Sequence, residues 1–156
     1  MRDIRLRAWD ICQEKMFIVD KLSLNENKVS YTQTDIDMYG VERTVEVTLP
    51  LYAVILLEST GLFDSDNKPI YEGDVLYDEV TDSYSGRVAW DHAYGHYYVH
   101  FGERIEILSV YNTKLFSVVG NIYVNPEFVD HFYDDLCGVI DEDEDEYIQT
   151  QTEELN

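Results

Sequence analysis

DVLYDEVTDSYSGRVAWDHAYGHYYVHF, from Asp74 to Phe101, is the stretch that decides the fold. Asp74 to Val80 and Gly86 to Trp90 are rich in β-branched and aromatic residues, and a polar turn over Thr81 to Ser85 divides them. A second turn, around His92 to Gly95, leads into a third such run, Tyr97 to Phe101. Downstream, Ile105 to Tyr111 and Leu115 to Val119 repeat the pattern. Short strands with turn signals roughly every 8–12 residues predict a sandwich or barrel rather than a parallel α/β sheet. Glu72-Gly73-Asp74-Val75 followed by Gly86-Arg87-Val88-Ala89-Trp90 looks like the opening of an SH3-like barrel, a likeness of architecture only.

Upstream, Glu42 to Leu49 alternates polar with apolar or β-branched residues at period two, the mark of a strand with one wet face. Tyr52 to Leu57 is a continuous apolar run that reads as a buried strand, with a short helix as the alternative. Arg5 to Trp9 and Lys15 to Asp20 flank a polar connection and predict an N-terminal hairpin, and Asn25 to Lys28 marks a turn. Beyond the last strand, Gly120 to Tyr123 can turn tightly. Asn125 can then cap a helix, with Pro126 in its first position and Glu127 in its first turn, so a short helix is predicted from Pro126 to about Tyr133. The expected fold is mainly β: an N-terminal β region over 1–58, a small SH3-like barrel with a short helix over 59–133, and an acidic tail over 134–156.

Two strings carry a family likeness: TGLFDSDNKPIYEGDV, from Thr60 to Val75, and VVGNIYVNPEF, from Val118 to Phe128. With Arg7-Ala8-Trp9-Asp10 and Lys15-Met16-Phe17 near the start, they resemble the YopX family of small phage and prophage proteins. The middle, Leu24 to Thr48, matches poorly. Where the family usually has Asn-Gly-Lys, this chain has Asp66-Asn67-Lys68, so Asn67 is expected to carry a left-handed turn position that glycine normally fills. The resemblance implies a phage or prophage setting and favours multimeric assembly. It implies no catalytic or ligand-binding residues.

Composition narrows the function classes. The chain has 156 residues and is 45 % hydrophobic, enough for a folded core without covalent staples. Its two cysteines, Cys12 and Cys137, form no disulfide framework or metal-type pair and read as free thiols in a reducing compartment. The start, Met1 to Arg5, lacks an apolar signal core, and Tyr52 to Leu57 is too short to span a bilayer, so the expected location is the host cytoplasm. The net charge is −21, and ten of the 32 acidic residues but none of the 11 basic ones fall from Asp134 onward. Such a surface repels phosphate backbones, which disfavours direct nucleic-acid binding. The run Asp141, Glu142, Asp143, Glu144, Asp145 and Glu146 reads as a solvated appendage, with an interaction arm or DNA-mimicking surface as the sharper alternative.

Catalytic signals are sparse. His92, His96 and His100 are spaced four apart, which on a helix would gather three imidazoles for a metal; on the expected strand only His96, Tyr98 and His100 share a face. Asp64-Ser65-Asp66-Asn67 briefly resembles a calcium loop, but Lys68 and Pro69 follow and Val75 stands where the twelfth-position Glu belongs. No nucleophile elbow, P-loop or dinucleotide fingerprint occurs, and no cofactor is implied. Thirteen tyrosines exceed what a small barrel interior accommodates, and Tyr94, Tyr97, Tyr98, Tyr111 and Tyr123 are candidates for contact surfaces. Three functions are therefore weighed. The first is a non-enzymatic interaction module that forms a homo-oligomer and contacts a host or phage protein. The second is an acidic DNA mimic that blocks a host nucleic-acid-binding protein. The third is a metal-dependent enzyme built on the histidines.

Overall fold

Aspartates at strand ends set most of the hairpins. Asp10 accepts hydrogen bonds from the amides of Cys12 and Gln13, Asp78 from those of Val80 and Thr81, and Asp91 from those of Ala93 and Tyr94. Each carboxylate mimics a backbone turn, so part of the acid excess is turn chemistry. The structure, a computed structural model, describes residues 4–101 and 104–128; the acidic tail lies outside them.

The strands in chain order are β1 (Leu6–Asp10), β2 (Lys15–Ile18), β3 (Lys21–Ser23), β4 (Lys28–Ile36), β5 (Glu42–Pro50), β6 (Val54–Phe63), β7 (Pro69–Tyr71), β8 (Asp74–Asp78), β9 (Ser83–Asp91), β10 (His96–Phe101), β11 (Arg104–Ile107) and β12 (Phe116–Asn121). All the pairings are antiparallel and build three sheets, ordered β2-β1-β6-β7, β3-β4-β5 and β11-β10-β9-β8-β12. In the last, four consecutive strands meander and β12 returns beside β8. The chain is mainly β, with curled sheets forming a half-barrel.

Two cores result. Ile70, Leu76, Val88, Tyr97, Val99, Leu108 and Phe116 form one, drawn mainly from the five-stranded sheet with Ile70 added from β7. Ala8, Phe17, Val29, Tyr31 and Val54 form the other, in which the Phe17 and Tyr31 rings stack with centroids 4.0 Å apart. β6 serves both regions: its first half pairs with β1 and its second half with β7, in a ladder whose register shifts between Ser59 and Phe63. The expected boundary at 58/59 falls inside this strand.

Several boundaries differ from the sequence expectation. The apolar run at Tyr52 begins in a 3-10 turn, Leu51–Ala53, before β6 starts at Val54 and runs on to Phe63. The strand expected over Ile105 to Tyr111 stops at Ile107, because the Asn112 side chain accepts the Ser109 amide and donates to the Ile107 carbonyl, closing a turn. β9 begins at Ser83, within the expected Thr81 to Ser85 turn. Asn67 has φ 64°, the left-handed value expected of it. Residues 127 and 128 are helical; the rest of the helix expected to reach Tyr133 lies outside the described residues. Among the described residues no helix is long and apolar enough to cross a membrane.

Candidate functional site

The two motif strings, far apart in sequence, meet along β12. Asp64 is fully buried; its carboxylate accepts the amides of Lys68, at 2.8 Å, and of Val118, at 2.9 Å, while the Ser65 amide donates to the Phe116 carbonyl. The calcium-like string is thus a turn whose leading carboxylate bonds to backbone amides. Farther on, Gly73 donates to the Val88 carbonyl and accepts from the Ile122 amide. Beside it, Asp74 accepts from the Tyr71 amide at 2.8 Å, from the Asn121 side chain at 3.0 Å, and from the Arg7 guanidinium. Arg7 lies over the Tyr71 ring, 4.0 Å from its centroid, a cation–π contact. Arg7, Asp74 and Asn121 therefore tie β1, β8 and β12 together.

Beside this tie is a small cleft of about 90 Å³, lined by Leu57, Glu72, Arg87, Ala89, Ile122 and Tyr123 among others. Tyr123 stacks against Trp9, with ring centroids 6.2 Å apart. Burial, followed by the nearby Glu58 charge, raises the Glu72 carboxyl above its ordinary value, against the opposing pull of His92 and Arg87. Burial also raises Asp74, and outweighs the Arg7 charge in doing so. Tyr123 is raised by burial and then by Glu72. Perturbed groups in a cleft are typical of functional sites, though structural networks produce them too.

The raised carboxyls give the chain a definite pH response. Glu72 and Asp74 bind protons more tightly folded than unfolded, so stability is expected to rise as pH falls from 7 through the window between their raised values and the ordinary carboxylate range. Asp37 and Glu79, held low by hydrogen bonds, act in the opposite sense, but both lie at the solvent-exposed surface, where such effects are small. Glu72→Gln is expected to stabilise the protein at pH 7 by less than about 1 kcal/mol after solvent screening, and to flatten the pH dependence. Urea midpoints at pH 5 and pH 7 check both outcomes.

The expected site residues are dispersed. His92 lies exposed in the β9–β10 turn, while His96, Tyr98 and His100 line the half-buried face of β10, opposite buried Tyr97 and Val99. Among the described residues, no three His, Cys, Asp or Glu side chains gather as a metal site would require. Tyr97 packs edge-on against Trp90 in the core, which makes it a packing residue rather than a contact surface. Tyr94 and Tyr111 are exposed, and Tyr123 lines the cleft. Asp141 to Glu146 lie outside the described residues.

Sequence reasoning found β5 but missed its partner β4 and the exposed tip that the two strands carry. Both faces of the β4–β5 hairpin's outer half, from Thr34 to Glu46, are largely exposed, and its tip presents Ile36, Met38, Tyr39 and Val41 to solvent. Met38 is 88 % exposed and Tyr39 83 %. Asp37 fixes this tip: its carboxylate accepts the Tyr39 and Val41 amides at 2.9 and 3.0 Å and pairs with Arg43. The Val41 and Tyr39 hydrogen bonds hold the Asp37 carboxyl below its usual range. The available signal was the Asp-Met-Tyr-Gly string, residues 37–40, a turn carrying two large apolar side chains.

The profile of a family described as "YopX protein" matches residues 5–130. No curated protein matches the chain. Among solved structures, it is similar to the crystal structure of protein EF1440 from Enterococcus faecalis, with a TM-score of 0.58 and 23 % identity, over 81 % of this chain and 98 % of that one. At that identity the likeness bears on the fold alone.

Proposed function

We propose that this chain, which belongs to the YopX family, is a non-enzymatic protein-interaction module that self-assembles, an accessory protein of a phage or prophage acting in the host cytoplasm. In this reading the five-stranded sheet is an SH3-like barrel, as its meander and returning last strand suggest, and it acts as the rigid body from which the β4–β5 arm projects.

The arm carries the proposal. A two-stranded ribbon with both faces in water is marginally stable alone and gains stability from a further strand or a packed face. Here the ribbon also exposes a cluster of large apolar side chains on a turn made rigid by Asp37. A rigid apolar tip loses little conformational entropy when it docks, which suits a contact element. The net charge of −21 opposes association of like chains, yet at physiological salt its reach is only about 8 Å. Association is therefore expected to weaken as salt is lowered.

Light scattering at physiological salt tests the reading. The expected mass is a multiple of 18.3 kDa. Replacing both Met38 and Tyr39 with serine is expected to remove about 3 kcal/mol of apolar burial, weakening association roughly 100-fold without lowering the melting temperature of the monomer. A wild-type protein that stays at 18.3 kDa when concentrated overturns self-assembly. The charge supports a second reading, an acidic DNA mimic that blocks a host nucleic-acid-binding protein; a monomer that nucleic acid displaces from such a host protein is its signature.

A further inference from the structure

We infer that the open edge of β5 pairs antiparallel with β5 of a second copy about a two-fold axis through Val45, making one continuous sheet, β4-β5-β5-β4, out of two arms. The inference rests on the self-assembly reading and specifies the surface and register that reading would use.

β5 is the outermost strand of its sheet, and among the described residues its outer side has no backbone partner. The Asp37 amide donates to the Val41 carbonyl at one end of the hairpin, and the Leu51 amide donates to the Asn27 carbonyl at the other. Both bonds fit the register that sets Val29 opposite Leu49 and Val45 opposite Gln33. Alternation then turns the backbone groups of odd-numbered β5 residues toward β4, and those of Glu42, Thr44, Glu46 and Thr48 toward the open side. An unpaired strand edge of this length is a template for another strand. Of the natural defences, β5 carries charges at Glu42, Arg43 and Glu46, but its one proline, Pro50, stands at the end of the strand rather than within it.

Symmetry and charge select the register. A two-fold axis between identical antiparallel strands passes through one residue, which then faces its own copy. Centres at Glu42, Arg43 or Glu46 oppose identical charges, and a centre at Thr44 sets Glu42 against Glu46; like charges directly opposite destabilise a ladder. Centres at Val47 or Thr48 bring Pro50 opposite Thr44 or Glu46, where the ladder requires an N–H that proline lacks. Centres closer still to Pro50 pair too few residues. Val45 remains: it meets its own copy, Arg43 meets Val47, and Thr44 and Glu46 exchange backbone bonds. One step further on, Val41 at the base of the tip turn faces Leu49, so each apolar tip is carried toward the other copy's apolar core.

Cysteine cross-linking of the full chain, with Cys12 and Cys137 replaced by serine, tests the register. Val45→Cys places two thiols at a non-hydrogen-bonded antiparallel pair, where the α-carbons approach closely enough for a disulfide. Mild oxidation is expected to shift this variant to dimer mass on a non-reducing gel, while Thr44→Cys and Val47→Cys stay at monomer mass. Equal cross-linking of Thr44→Cys, or faster cross-linking of Val47→Cys, overturns the register. If light scattering shows a multimer and none of the three variants cross-links, the β5 edge is not the interface, although self-assembly stands. A protein that is monomeric by light scattering and does not cross-link overturns both.

Discussion

Replacing Gly86 with alanine is expected to be the most damaging glycine-to-alanine change among the described residues. Gly86 lies in β9 with φ +78°, and a β-carbon placed there would stand 1.4 Å from the carbonyl oxygen of His100 in β10. The obstacle is backbone, not a side chain that can swing away, so the β9–β10 ladder must open to admit the methyl group. The left-handed conformation adds about 1–2 kcal/mol for any residue with a β-carbon, and forced displacement in packed structure adds about 1–3. A loss of roughly 2–5 kcal/mol is a large share of the stability of an ordinary domain. Gly95 supplies the control: at φ +71° it has the same backbone demand but nothing within 4 Å of a built β-carbon. Gly95→Ala is expected to lose only the conformational part. Urea unfolding of the two variants separates collision from conformation, and equal losses would show that the β9–β10 approach is looser than described.

Asp74→Ala is expected to cost about 3–5 kcal/mol, the range found when one partner of a buried ion pair is removed. The Asp74 side chain is 1 % exposed and that of Arg7 is 20 % exposed, so the guanidinium left behind has little water to replace its partner. The Tyr71 amide and the Asn121 side chain lose their acceptor at the same time. Burial already raises the Asp74 carboxyl, so the ion pair is no large source of net stability. The damage comes from orphaning its partners. A double variant, Arg7→Leu with Asp74→Leu, is therefore expected to recover a substantial part of the loss seen in Asp74→Ala. Thermal melts of wild type, Arg7→Leu, Asp74→Leu and the double variant form the cycle that decides it. Additive losses would mean that the two side chains contribute independently.

What the sequence makes legible follows from local periodicity. Glu42 to Leu49 alternates and is a strand; His96, Tyr98 and His100 share the face opposite Tyr97 and Val99 for the same reason. Asn67 could be placed in a left-handed turn because few other side chains tolerate that backbone. Local rules did not give the extent of β6, because Thr60-Gly61 reads as a stop, whereas the chain absorbs it with a shift of register and continues. β4 has no such signature, because Lys28 to Ile36 is polar at most positions; β5 orders it along its whole length and β3 only at Lys28 to Ser30. The meeting of Arg7 with Asp74 has no signature in either segment, since 67 residues separate them. The apolar arm tip follows the same logic: a turn string reveals the turn, but only the sheet shows that nothing among the described residues folds over it.

β6 also governs when the molecule can exist at all. β1 is among the first strands to be synthesised, yet one of its neighbours is β6 and the acceptor for Arg7 sits in β8. Asp74 in turn bonds Asn121, near the end of the described chain. During translation the N-terminal hairpin must therefore wait, its β6-facing edge unpaired, until β6 has left the ribosome, and Arg7 waits longer still for Asp74. Contacts this distant in sequence slow folding, and they make the growing chain most vulnerable to proteases and misplaced partners before the last strand emerges. That window closes only once β8 and β12 have followed the N-terminal strands.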